Sequence, residues 1–221
     1  MSQKLQIRTI VSKPFEENTY VAWLADRKEA LVIDPGLEPE LILDFLNEHG
    51  LVVKAILNTH GHADHIGGNE AIKAAFPEAP LVIGASEAFL LTDANANMSA
   101  PFGLPIISPK ADSVVHEGDV IEFAGIRLEA LDIPGHSPGH VVFVCRDQPV
   151  IVFGGDVLFR GSIGRYDLPN SDGRRLLSGI RHKLFTLPPD TLVYPGHGPV
   201  TTIGFEKRTN PFVGDNVTGL P

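Results

Sequence analysis

The chain reads as an α/β protein built from two mixed sheets flanked by helices. Three observations predict this: short β-branched runs recur along its length, helix-period segments separate several of them, and four of the runs end directly in histidine or aspartate. With 221 residues and 43% hydrophobic content, one domain with a substantial core is expected over 1–221.

Taken in order, strands are expected at 4–11 (KLQIRTIV), 18–25 (NTYVAWLA) and 29–34 (EALVID), an early set of hairpins. The segment EPELILDFLNEHG follows with helical period and places Leu41, Ile42, Phe45 and Leu46 on one face. Its start carries a turn (DPG) and glutamates suited to the positive end of a helix, and Gly50 supplies the stop. Strands at 52–58 (VVKAILN) and 80–84 (PLVIG) enclose a helix in GGNEAIKAAF, and ASEAFLL reads as another. Residues 92–113 carry the weakest pattern and many turn-forming residues, so they are expected to form a surface loop able to cover a site. Strands then recur at 120–125, 126–133, 140–145, 150–155 and 191–196, with a helix in DGRRLLSGIRHKLF between the last two. Leu176, Leu177 and Ile180 of that helix face the core, which leaves Arg174, Arg175, Arg181 and Lys183 on a solvated face.

Charge and composition exclude some roles. Eighteen Lys+Arg against 27 Asp+Glu leave a formal charge of −9, which argues against a broad nucleic-acid footprint, since such binding rests on basic side chains. No apolar run approaches the roughly 18 residues of a membrane span, and the first residues lack a signal-peptide pattern, so no membrane association and a cytoplasmic location are expected. The single cysteine, Cys145 in HVVFVC, forms no intrachain disulfide and belongs in a core.

The nine histidines are unevenly placed. LNTHGHADH brings His60, His62 and His65 directly after one strand, with Asp64 among them. His136 follows another strand in DIPGH, Asp156 a third in VFGGD, and His197 a fourth in VYPGH. If these strands share a direction, all seven groups meet at one sheet edge, where open α/β sheets place their ligands. Imidazole and carboxylate without thiolate suit a borderline divalent ion in an open site. Seven groups exceed one tetrahedral shell, whereas two ions about 3.5–4 Å apart with Asp156 between them would use all seven. Glycines crowd these ligands, at 61, 67, 68, 135, 139, 154, 155, 196 and 198, as tight turns and close backbone approach require. His49, His116 and His182 stand alone and read as surface residues, while His140 competes with His136 for the ligand position in GHSPGH and is less favoured because His136 directly follows its strand. Thr59 and Ser137 adjoin ligands and are expected to hydrogen-bond to them.

The pattern THGHADH, followed in order by His136, Asp156 and His197, resembles the metallo-β-lactamase superfamily and its HxHxDH motif. PGHSPGH, FGGDVLFRGSIGRYDLP and YPGHGPVTTIGFEKRTNPF are similar to the short bacterial glyoxalase II-like hydrolases, of hydroxyacylglutathione hydrolase type. The resemblance covers about residues 4–213 and implies an αβ/βα sandwich with the site at one edge between two sheets. It implies one metal held by His60, His62 and His136, a second by Asp64, His65 and His197, and Asp156 bridging them, with Asp64 and Asp156 also catalytic. Two divalent ions per chain are implied, zinc foremost, with iron or manganese as alternatives.

The resemblance also implies hydrolysis of a small-molecule thioester, S-D-lactoylglutathione, to D-lactate and glutathione by a metal-activated water. Long glyoxalase II enzymes grip glutathione through a basic C-terminal helical extension, which the single domain here is expected to lack. Arg160, Arg165, Tyr166, Lys207 and Arg208 are the remaining candidates to contact an anionic substrate. An iron-dependent persulfide dioxygenase is the alternative enzyme, disfavoured by the intact set Asp64, His65 and His197, and a noncatalytic metal-binding protein is the alternative of another class.

Overall fold

The computed structural model describes residues 4–217 and is dominated by two six-stranded sheets. Its first half runs β1 (Leu5–Ser12), β2 (Glu17–Leu24), β3 (Glu29–Ile33), α1 (Pro39–His49), β4 (Val52–Asn58), α2 (Ala63–Ile66), α3 (Asn69–Ala75), β5 (Leu81–Gly84) and β6 (Ser113–Val115). The second half runs β7 (Val120–Phe123), β8 (Ile126–Asp132), β9 (Val141–Cys145), β10 (Ile151–Gly155), β11 (Leu158–Phe159), β12 (Ser162–Ile163), α4 (Gly173–His182), β13 (Leu192–Pro195), β14 (Thr201–Thr202) and α5 (Ile203–Thr209).

The first sheet keeps sequence order from β1 to β6, antiparallel through β3 and parallel from there on. The second has the order β14-β13-β10-β9-β8-β7. There β10 is parallel to β13, and both β8 and β10 are antiparallel to β9, so β8, β10 and β13 point the same way.

Alternation explains the layering. Tyr20, Ala22 and Leu24 of β2 meet Val141, Phe143 and Cys145 of β9 and Ile151 and Phe153 of β10 in a core between the sheets. The intervening residues point outward: Val21 of β2 packs with Ile42 and Leu46 of α1, while Val142, Val144 and Val152 pack with Leu176, Leu177 and Ile180 of α4. Both faces of each sheet are therefore buried, and the strands read as nearly continuous apolar runs. The result is the αβ/βα sandwich. Cys145 lies in its inter-sheet core, as expected. Among the described residues no helix is long and apolar enough to cross a membrane.

Some local expectations change. Leu41 is 39% exposed, because α1 seats the Ile42–Leu46 stripe on the sheet and turns Leu41 to solvent. The helix expected in ASEAFLL is a 3-10 turn at Ala88–Thr92. Strands β6, β11, β12 and β14, each of two or three residues, are too short to show a period. Gly50 ends α1 in the left-handed conformation, at φ 61°, as expected.

Candidate metal centre

Four strand ends build the site, drawn from both sheets rather than from one. The turn after β4 carries His60 and His62, and α2 continues directly into Asp64 and His65. His136 follows β8, Asp156 follows β10 and His197 follows β13, three strands of the second sheet that share a direction. Convergence thus occurs where the edges of two sheets face each other, because β4 belongs to the first sheet.

All seven residues come together. His62 Nδ1 lies 2.9 Å from His136 Nε2. His197 Nε2 lies 3.3 Å from Asp64 Oδ2. Asp156 stands between the two groups: its Oδ2 is 3.5 Å from His136 Nε2 and 3.6 Å from His197 Nε2, and its Oδ1 is 3.4 Å from His65 Nε2. Ligand atoms of His60, His62 and His136, and those of Asp64, His65 and His197, each gather within 4.8 Å, as do those of His60, His65 and Asp156.

Outer hydrogen bonds orient four of the rings. Thr59 Oγ1 donates to Asp34 Oδ2 at 2.7 Å and therefore accepts from His60 Nδ1 at 3.1 Å, which leaves His60 Nε2 unprotonated toward the site. His65 Nδ1 donates to Asp34 Oδ2 at 3.1 Å, His136 Nδ1 to the Arg165 carbonyl at 2.9 Å, and His197 Nδ1 to the Phe15 carbonyl at 3.0 Å. Each outer partner fixes the tautomer a metal ligand needs. His60 Nε2, His65 Nε2 and Asp156 Oδ1 are buried without a hydrogen-bond partner among the described residues. Orphaned acceptors of this kind are costly in a core, and a divalent cation satisfies them; the donor set fits one.

The electrostatics divide the histidines into two groups. Burial, reinforced by neighbouring imidazoles, holds His60 well below the ordinary histidine range and brings His62 down to about 3, so both rings are neutral ligands at pH 7. Burial works against ionising Asp156, yet His65, His136 and His197 hold its carboxyl far below the usual range. Against the same pull of burial, Asp64 and Asp156 raise His65 and His197.

Glycine matters most at two places. Gly155 adopts φ 45°, and a Cβ there would run into Thr59 Oγ1 and His140 Nε2. A Cβ on Gly196 would run into Asp156 Oδ1 and His65.

Asp34 and Glu87 escaped the sequence reading. Asp34, at the end of β3, accepts from Thr59 N at 2.7 Å as well as from Thr59 Oγ1 and His65. His140 stacks on His60 with centroids 4.7 Å apart, and its Nε2 accepts the Asp156 backbone N–H at 3.0 Å; it supports a ligand loop while His136 faces the centre. Thr59 bonds to its neighbouring ligand as expected, whereas among the described residues no hydrogen bond joins Ser137 Oγ to one. Buried Glu87 accepts from Gly61 N at 2.9 Å and from Gly139 N at 2.6 Å, tying the His60–His62 turn to the 136–140 loop. A glutamine at 87 can accept only one of these N–H groups. Glu87→Gln is expected to cost about 1–3 kcal/mol of stability and to weaken metal binding about tenfold. Thermal unfolding and metal titration check this, and wild-type values in both would contradict the tie.

A hollow of about 300 Å3 opens over the centre, walled by Phe15, Asn97, Met98, Phe159, Arg165 and Leu168 beside the ligands. Part of the 92–113 loop thus borders the site. Of the five residues proposed to contact substrate, Arg165 alone lines this mouth. Arg160 lies over the Phe205 ring at 5.5 Å, Arg208 Nη1 lies against Gly204, Lys207 borders a hollow with Phe185 and Val213, and the Tyr166 ring packs on Gly173. A further hollow of about 340 Å3, lined by Leu5, Leu24, Cys145, Ile151 and Leu192, lies at the other end of the same strands and, among the described residues, contains no ligand cluster.

A metal centre built on four strand ends between two sheets defines the metallo-β-lactamase class, and the chain belongs to the metallo-β-lactamase superfamily, whose model matches residues 13–197. Among its relatives is hydroxyacylglutathione hydrolase GloC of Haemophilus influenzae, 38% identical over 211 residues, or 95% of this chain and 98% of the relative. Among solved structures, BLEG-1 B3 metallo-β-lactamase superposes with a TM-score of 0.90 at 37% identity, covering 94% of this chain and 99% of that one. TTHA1623 in a di-iron-bound form gives 0.81 at 39% identity, covering 93% and 99%.

Proposed function

We propose that the protein is a binuclear metal-dependent thioester hydrolase that cleaves S-D-lactoylglutathione or a close relative to D-lactate and the free thiol. The observation that carries this reading is the place of Asp156, with one carboxylate oxygen within 3.6 Å of both His136 and His197, the arrangement a shared ligand requires. His60, His62 and His136 would hold one ion and Asp64, His65 and His197 the other. Zinc suits this donor set, and iron or manganese would be accepted; a similar chain is described in a di-iron-bound form. When bound, such ions supply Lewis acidity and lower the pKa of water toward 7.

The chain's own residues do the rest. Asp64 and Asp156 present carboxylate oxygens at the floor of the mouth and orient the attacking water beneath the thioester carbonyl. Phe15, Met98, Phe159 and Leu168 keep bulk water from the acyl group. The departing thiolate, whose parent pKa is about 8.5, leaves with little help from an acid. Similarity to the Haemophilus influenzae hydroxyacylglutathione hydrolase supports the choice of substrate.

The test is turnover of S-D-lactoylglutathione by metal-loaded protein, with release of D-lactate and thiol in equal amounts. A second reading, hydrolysis of a β-lactam amide, draws on the likeness to the B3 metallo-β-lactamase. Turnover of a β-lactam without any thioester turnover would replace the first reading by the second.

A further inference from the structure

Resting on the thioester-hydrolase reading, we infer that the mouth recognises the acyl half of its substrate and has no grip on the charged ends of the thiol half. The substrate class is then small-acyl thioesters in general, including those of uncharged thiols.

Recognition of glutathione would have to hold two carboxylates and an ammonium, and Coulombic capture of carboxylates rests on Arg or Lys within hydrogen-bond reach. Among the described residues the mouth contains one such cation, Arg165, and it already has a partner. Its Nε and Nη2 donate to the two carboxylate oxygens of Asp167 at 2.9 and 3.0 Å, so an incoming carboxylate meets a pair with no surplus positive charge, at an exposed position where a charge contact contributes little. Asn97 offers nothing either: its Nδ2 donates to the Leu90 and Ile106 carbonyls, and its Oδ1 accepts from Ser99 N and Oγ. That network holds the neighbouring Met98 at φ 69°, presenting a thioether to the mouth in place of a polar group. Phe15, Phe159 and Leu168 complete an apolar rim. Such a rim accepts an uncharged thiol arm as readily as a charged one, because apolar contact reads size and shape and not charge.

The experiment compares kcat/KM of the metal-loaded protein for S-D-lactoylglutathione and for the D-lactoyl thioester of N-acetylcysteamine, a neutral thiol. Values within about fivefold of each other are expected, since exposed charge contacts contribute little. A deficit of about 100-fold or more for the neutral thioester, the size of well-formed contacts to charged groups, would overturn the inference while leaving the hydrolase intact. Hydrolysis of neither thioester by protein with both metals bound would overturn the hydrolase reading itself, and the inference with it. Asp167→Asn gives a second readout: releasing Arg165 is expected to lower KM for the glutathione thioester severalfold and to leave the neutral thioester unchanged. An equal change for both substrates would contradict the account of the Arg165–Asp167 pair.

Discussion

Asp156→Ala is expected to lower thioester hydrolysis on the order of 10³-fold or more and to reduce bound metal from two ions per chain toward one or none. The side chain reaches both halves of the centre, with its Oδ2 at 3.5 Å from His136 and 3.6 Å from His197 and its Oδ1 at 3.4 Å from His65. Alanine would remove the carboxylate placed to be shared, and with it negative charge that would offset two cations. The fold should survive, because the backbone N–H of residue 156 still donates to His140 and β10 keeps its core residues Ile151 and Phe153. Elemental analysis beside steady-state kinetics measures both effects. Two ions per chain and an undiminished rate would remove Asp156 from the centre.

The next largest effect is expected at a residue that touches neither metal nor substrate. Asp34→Ala strands three buried donors at once, namely Thr59 N, Thr59 Oγ1 and His65 Nδ1. Each unsatisfied buried donor costs about 1–3 kcal/mol, so a loss of about 3–5 kcal/mol is expected after partial relaxation. With His60 and His65 no longer oriented through this carboxylate, metal affinity should fall about 10- to 100-fold. Asp34 sits at φ 50°, a left-handed conformation that Asp and Asn tolerate better than alanine, so backbone strain adds to the loss. Asp34→Asn keeps the backbone and one acceptor oxygen and should fall between wild type and alanine in both unfolding temperature and metal affinity. Equal metal binding in all three proteins would contradict the orienting role.

What the sequence made legible follows from where information is local. THGHADH places four candidate ligands within six residues, and strand-end positions singled out His136, Asp156 and His197, which the fold brings beside them, without any knowledge of how the sheets pack. The layers were legible because strands buried on both faces read as continuous apolar runs, as in β9 and β10. Which sheet each strand would join was not, since pairing across long separations leaves no periodic mark; β4 and β10 look alike and lie in different sheets.

Residues that act at a distance were also hidden. Asp34 lies 25 residues from Thr59 in sequence, and Glu87 lies 52 from Gly139. Asp34 did carry a signal, because EALVIDPG ends a strand in an aspartate just as VIVFGGD does. Glu87 carried none, being one glutamate in an apolar segment whose burial only the fold reveals. Arg160, Lys207 and Arg208 could not be told apart from Arg165 in the sequence for a related reason. Charge and proximity in sequence say nothing of direction, and Arg160, Lys207 and Arg208 are directed to Phe205, to a separate hollow and to Gly204.

The central claim is that two metals bound by these seven residues drive thioester hydrolysis. Stripping the protein with a chelator and restoring zinc stepwise, while following S-D-lactoylglutathione turnover against metal content, tests it most directly. The account predicts an inactive stripped protein whose activity returns in full as the second ion per chain is bound. Full metal binding at one iron per chain, no hydrolysis, and oxygen uptake with glutathione persulfide would contradict it and assign the site to a dioxygenase.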